Sequence, residues 1–377
     1  MRRAVALIGM SVMVSGVAVA GSERAAFMVE ARQSFDLSVL HAPTAVRVGD
    51  ATLLAHELHL TNFAPRALIL SRIRVTDART GQDLLDLTGD ALIAAMGHVG
   101  PASEGKLMVP PGGRVVAYLD APIGRGQAPA AVRHLVDYSV EGSPEAAPGA
   151  LRGEAVPVDA RSLPVLSPPL RGGAWVAVYD PRLERGHRRV FYAVGGRARL
   201  PGRFAIDWMP AGPPGGGAGE SGLGAEVLAV ADGVVASARD GVPEPAAGEP
   251  RPRVGMADAT GNYLSINIGG GRFAFYEHLM PGLRVKPGDR VRRGEVIGRL
   301  GSTGQASRPH LHFHLADADS PLGAEGLPYR LQGARTVGAY RSITAFEARE
   351  PWQARASIGA DAAFPEPNTV VEFGSRP

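Results

Sequence analysis

The sequence predicts an all-β protein: an N-terminal immunoglobulin-like β-sandwich followed by an antiparallel β-domain. Three observations carry this expectation. Short aliphatic runs, several with two-residue alternation, recur along the chain, and clusters of Gly, Pro, Asp and Asn separate them. Helical periodicity is almost absent. With 377 residues the chain is long enough for two domains, each with its own core.

The elements follow in order. Met1-Arg2-Arg3 is a positive start, Ala4 to Val17 is apolar, and Ala18-Val19-Ala20 is a small-x-small cleavage site. Residues 1–20 therefore read as a signal peptide, with the mature chain beginning near Gly21. The apolar run falls short of a comfortable span of ~20 residues, so no stable membrane insertion is expected after cleavage. Cysteine is absent, which fits an exported protein whose size gives it a sufficient core without disulfides. The formal charge is +3 and falls to +1 once Arg2 and Arg3 are removed. A balance so near neutrality offers no argument for a nucleic-acid partner.

Residues 26–164 carry the runs expected to form the sandwich: Leu53 to Leu60, Ala67 to Val75, Arg114 to Leu119 and Arg133 to Val140, with a short helix around Asp90 to His98. Its histidines (His41, His56, His59, His98 and His134) read as structural. Residues 165–174 form a stiff Pro-rich linker. From 175 to 330 further strands are expected at Trp175 to Val178, Phe191 to Val194, Ala205 to Trp208, Ala225 to Ala231, Val234 to Ala238, Tyr263 to Ile268 and Phe273 to Tyr276. Val242 to Arg253 has no apolar period and is expected to rim a groove as a mobile flap. Residues 331–377 read as a weakly patterned C-terminal tail, loosely ordered from Phe364 onward.

The chemistry concentrates between Gly261 and Leu315. His278 stands in Tyr276-Glu277-His278-Leu279, and His310, His312 and His314 alternate on one predicted strand. Residues two apart on a strand share a face, with roughly 6.6 Å between backbone positions, so the triplet projects together. Imidazoles so placed can converge on one metal or one polarised water. Taken alone, an H-x-H strand is more often a solvated face.

The surrounding motifs carry a family resemblance. Gly301-Ser302-Thr303-Gly304 followed by Pro309-His310-Leu311-His312-Phe313, the Tyr276–Leu279 segment, Val285 to Val291 and Asp232 to Val235 together resemble the lysostaphin/LytM-type zinc metalloendopeptidases (metallopeptidase family twenty-three). The resemblance covers roughly Pro168 to Tyr329. It implies a LytM-like (duplicated hybrid motif) β-domain with its site in a groove and one zinc ion per chain. It also implies hydrolysis of peptide bonds in cell-wall peptidoglycan. By the resemblance, Asp207 and His312 are zinc ligands, while His278 and His310 are catalytic histidines that handle the proton and the oxyanion. His314 stands where the family usually has a carboxylate and is placed to orient His312.

Arg203 departs from the pattern, because the family has its third zinc ligand there and a guanidinium cannot ligate. Two outcomes are open. Arg203 lies near Asp207 and substitutes for the missing cation, which leaves a degenerate protein that binds peptidoglycan peptides or activates another hydrolase. Otherwise a histidine from elsewhere completes the set, with His187 in Arg185-Gly186-His187-Arg188-Arg189 the candidate and His314 the other. Export and a composition rich in Ala, Gly and Arg suggest the periplasm or exterior of a bacterium, more specifically a Gram-negative one.

Overall fold

In a computed structural model of the chain, the described residues are 33–98, 106–124, 128–142, 148–212, 221–246, 253–358 and 362–374. The predicted signal peptide lies outside them, as do residues 247–252 of the predicted flap. Among the described residues no helix is long and apolar enough to cross a membrane.

The N-terminal strands are β1 (Phe35–Ser38), β2 (Thr44–Val48), β3 (Ala51–Asn62), β4 (Leu68–Asp77), β5 (Asp83–Thr88), β6 (Met96–His98), β7 (Met108–Val109), β8 (Arg114–Ile123), β9 (Ala131–Val140) and β10 (Gly149–Pro157). One helix, α1 (Gly89–Ala95), interrupts them, and the predicted helical stretch ends there because Met96 to His98 pair with β8. Two sheets result among the described residues. One runs β1-β3-β8-β6 with β2 on β3, and the other β10-β9-β4-β5 with β7 on β4. Alternation along β9 buries Val132, His134, Val136 and Tyr138 in turn, so its apolar side faces a core shared with Leu54, Leu58, Ile73, Val75 and Leu119.

The rest of the chain supplies β11 (Val165–Leu166), β12 (Ala174–Val178), β13 (Tyr192–Val194), β14 (Arg197–Arg199), β15 (Ile206–Pro210), β16 (Glu226–Leu228), β17 (Gly233–Arg239), β18 (Asn262–Asn267), β19 (Phe273–Leu279), β20 (Arg290–Val291), β21 (Val296–Arg299), β22 (Leu311–Ala316), β23 (Gly326–Leu327), β24 (Arg330–Leu331) and β25 (Ala334–Ala339). A short helix α2 (Ile343–Glu347) precedes β26 (Gln353–Ile358) and β27 (Thr369–Phe373). A large sheet runs β20-β17-β18-β19-β22-β15-β12-β27-β25-β26, with β23 on β22. Its core gathers Trp208, Leu264, Tyr276, Leu311, Phe313 and Tyr329.

The tail differs from its expectation. β27 is inserted between β12 and β25, and Phe364, Val370, Val371 and Phe373 are buried. A run such as Thr-Val-Val-Glu-Phe is too short to reveal from sequence that it has neighbours on both sides.

Candidate metal centre

The site sits where β15, β22 and β19 run side by side. Register sets Asp207 of β15 opposite His312 of β22, and Glu277 of β19 opposite the same histidine. Directly opposed residues share a face, so backbone pairing alone brings two carboxylates to either side of one imidazole. His310 enters just before β22, where it bridges Gly301.

His187 arrives from outside the sheet, on a three-residue 3-10 turn, His187–Arg189. Its Nε2 lies 3.0 Å from Asp207 Oδ2. His312 Nδ1 lies 2.9 Å from Asp207 Oδ1, and His310 Nε2 lies 3.4 Å from that same oxygen. Three imidazoles thus surround one carboxylate, and the rings of His187 and His312 meet edge to face at 4.7 Å.

Hydrogen bonds fix two tautomers. His278 Nδ1 donates to the Thr303 carbonyl at 2.9 Å and His310 Nδ1 to the Arg308 carbonyl at 2.8 Å. A carbonyl only accepts, so each proton sits on Nδ1 and Nε2 is the basic atom. His278 also has φ 63°, a left-handed conformation rare outside glycine, held by its N–H on the Thr260 carbonyl. Thr303 anchors this corner further. Its hydroxyl donates to the Leu279 carbonyl and accepts from the Asn262 N–H, both at 2.9 Å. Gly261 and Gly304, both at positive φ, stack backbone to backbone below it, where a Cβ at 304 would strike the Gly261 chain.

Electrostatics follow from burial and crowding. Burial opposes ionisation of Asp207, but His187 and His310 outweigh it and hold the carboxyl well below the usual range. Burial likewise disfavours charge on His187 and His310, yet Asp207 raises both above the ordinary histidine value. His278 is driven well below it, by burial first and then by repulsion from His310 and His312. Burial also lowers His312 and His314. Glu277 is pushed up to about 8, chiefly by burial and then by the Asp207 charge. The two carboxylates beside His312 are thus shifted in opposite directions, Asp207 toward the ionised form and Glu277 toward the protonated one.

His314 Nδ1 lies 3.2 Å from His312 Nε2 and 3.7 Å from Glu277 Oε1, and its ring stacks on Phe275. Sequence reasoning did not include Glu277. The available signal was its position between Tyr276 and His278, one strand over from the place where the family's carboxylate is replaced by His314.

The donor set fits a tetrahedral divalent ion. His187, Asp207 and His312 each offer a ligand atom, all within 4.8 Å of one another. Bonds of about 2.0 Å in tetrahedral geometry set donors about 3.3 Å apart, and each histidine nitrogen lies about that far from its nearer Asp207 oxygen, at 3.0 and 2.9 Å. Three such ligands would leave a fourth position open, and a cavity of about 400 Å³ lined by His187, Glu277, His278, His312 and His314 lies beside them.

Arg203 does not lie on Asp207, which corrects the expectation that it stands in for the cation there. Its Nε donates to Glu57 Oε2 at 2.7 Å, Nη2 to Glu325 Oε2 at 2.9 Å and Nη1 to the Gly326 carbonyl at 3.1 Å. A buried guanidinium needs carboxylates, and two stand on that side of the turn.

Residues 218–323 match the sequence profile described as Peptidase family M23. This segment belongs to that family. The M23 match contains His278, His310 and His312 and begins after His187, Arg203 and Asp207. Peptidoglycan DD-endopeptidase ShyA of Vibrio cholerae is 41% identical over 64 residues, 17% of this chain and 15% of that protein. Glycyl-glycine endopeptidase ALE-1 of Staphylococcus capitis is 54% identical over 39 residues, 10% of each chain. The matched stretches are thus a small share of these relatives' lengths. Among solved structures, the catalytic domain of the antimicrobial peptidase lysostaphin from Staphylococcus simulans is 21% identical. It matches over 42% of this chain and 88% of that one with a TM-score of 0.24, too low to carry an argument about the M23 segment here.

Proposed function

We propose that this chain is an exported zinc metalloendopeptidase that hydrolyses peptide bonds of cell-wall peptidoglycan. The observation that carries the reading is the convergence of His187 on Asp207 and His312. With it, a chain that carries Arg203 where the resemblance puts a ligand still presents three donors to one point. The names of the M23 relatives support the substrate class, and the signal peptide expected from the sequence supports export.

His187, Asp207 and His312 would hold the ion, whose Lewis acidity polarises a scissile carbonyl and makes water an adequate nucleophile near neutral pH. His278, neutral and with Nε2 free, accepts the proton from the attacking water. His310, whose Nε2 lies 3.4 Å from an Asp207 oxygen that raises its affinity for a second proton, would donate that proton to the developing oxyanion. His314 and Glu277 fix the orientation of the His312 ring.

Zinc content of the purified chain from Gly21 tests this, beside Asp207→Ala, His312→Ala and His187→Ala variants. The expected result is about one zinc per chain, lost in all three variants, with wild-type protein digesting peptidoglycan. An absence of zinc under supplementation would overturn the hydrolase reading and favour a groove that binds wall peptides without cutting them.

A further inference from the structure

We propose that Glu57, a buried carboxylate in the N-terminal sandwich, is a positioning residue for the metal centre: it clamps Arg188 and Arg203 and so holds His187 against Asp207. This rests on the reading of that cluster as a metal site.

The need for a clamp comes from where His187 stands. Asp207 and His312 are fixed by ladder pairing, but His187 opens a three-residue turn that no ladder and no side-chain cap secures. Its position is set by what its neighbours grip. Arg188 gives Nε to Glu57 Oε1 at 3.1 Å and Nη1 to both oxygens of Asp120 at 2.6 and 2.8 Å. Arg189 reaches the Met96 and Ala94 carbonyls at 3.1 and 2.8 Å. Both arginines after the candidate ligand therefore end on the sandwich.

The second turn, Pro201–Phe204, closes on the same point. A Cβ at Gly202 would meet the His187 carbonyl at 2.7 Å, so only glycine lets this turn lie on the His187 backbone. Arg203 then takes the other oxygen of Glu57. One carboxylate thus staples the two turns that enclose His187. Glu57, Arg188 and Arg203 have side-chain exposures of 3%, 7% and 4%, so water cannot replace any partner that is lost. Arg203, at the position where a ligand is missing, anchors the turn that packs on the substitute.

The test is metal affinity and coordination of the full mature chain, measured by chelator competition with Zn²⁺ and by the visible spectrum of bound Co²⁺. Folded Glu57→Gln is expected to bind Zn²⁺ about 10–100-fold more weakly and to alter the Co²⁺ spectrum in the manner of His187→Ala. In a His187→Ala background, Glu57→Gln should add no further loss. A purely structural Glu57 would lower the melting temperature but leave affinity and spectrum unchanged, or would weaken binding equally in both backgrounds; either result overturns the proposal. If Glu57→Gln does not fold, Asp120→Asn decides, because it loosens Arg188 at a partner with 35% side-chain exposure. A smaller change in the same direction supports the clamp, and wild-type affinity and spectrum overturn it. Wild-type affinity in Asp207→Ala would instead sink the metal reading itself.

Discussion

At the scale of single residues, His278 combines strain with chemistry. Its φ of 63° is a conformation that asparagine also tolerates, so His278→Asn should keep the backbone fold while removing the proposed base. The expected outcome is a folded protein with a cooperative thermal transition and kcat reduced about 10²–10⁴-fold in a peptidoglycan digestion assay. His56 and His134 present the opposite case, because their role is structural. They are buried with Nε2 atoms 2.8 Å apart, a contact that needs one proton and repels a second. Burial lowers His56 to about 4 and His134 to about 3, the latter helped by His56. An unfolded histidine titrates near 6.5, so below that pH the unfolded chain binds more protons than the folded one. Stability from this pair is complete above about 6.5 and is lost as pH falls toward the folded values. Urea midpoints measured from pH 7 to 4 should fall, with a shallower slope in His134→Gln.

At the scale of elements, the turn Gly301–Gly304 was legible as a motif, but its work was not. Thr303 ties the end of β19 to the start of β18 through three hydrogen bonds, to the His278 ring, the Leu279 carbonyl and the Asn262 N–H. Thr303→Val leaves the buried Asn262 N–H without its acceptor, so a loss of about 1–3 kcal/mol is expected on chemical denaturation. β27 makes the contrast sharper. Its sequence suggested a loose tail, yet Phe373 is buried and packs edge-on against Trp208 at 5.1 Å. Phe373→Ala should cost about 3–5 kcal/mol, where a loose tail would give no change. The strand was illegible because its partners β12 and β25 place it in the sheet, while its own five residues are equally compatible with an edge.

At the scale of the whole molecule, the Glu57 network ties the sandwich to the turns beside the large sheet and sets a second acid threshold. Burial would raise Glu57, but Arg203 and Arg188 overcome it and leave the carboxyl at about 2. A depressed carboxylate contributes stability that is present above its unfolded value near 4.5 and lost as pH falls through the folded one. The network should therefore stay intact while the His56–His134 pair is already titrating. Glu57→Gln, which leaves two guanidinium groups short of a partner, is expected to lower stability by about 3–5 kcal/mol at neutral pH. The slope between pH 7 and 5 should be preserved, since that slope belongs to the histidines.

The sequence by itself determined the all-β class and most strand positions. It also placed His310, His312 and His314 on one face of a predicted strand, while Asp207 and His278 were joined to them only by the family resemblance. The class and the shared face follow from a two-residue period that fixes side-chain direction on any strand. Only the tertiary structure decided that His187 reaches Asp207, that Arg203 turns away to Glu57 and Glu325, and that β27 lies within the sheet. Each of these depends on a partner distant in the chain, and a residue in a short turn has no periodicity to aim it. Its position is set by what it packs against.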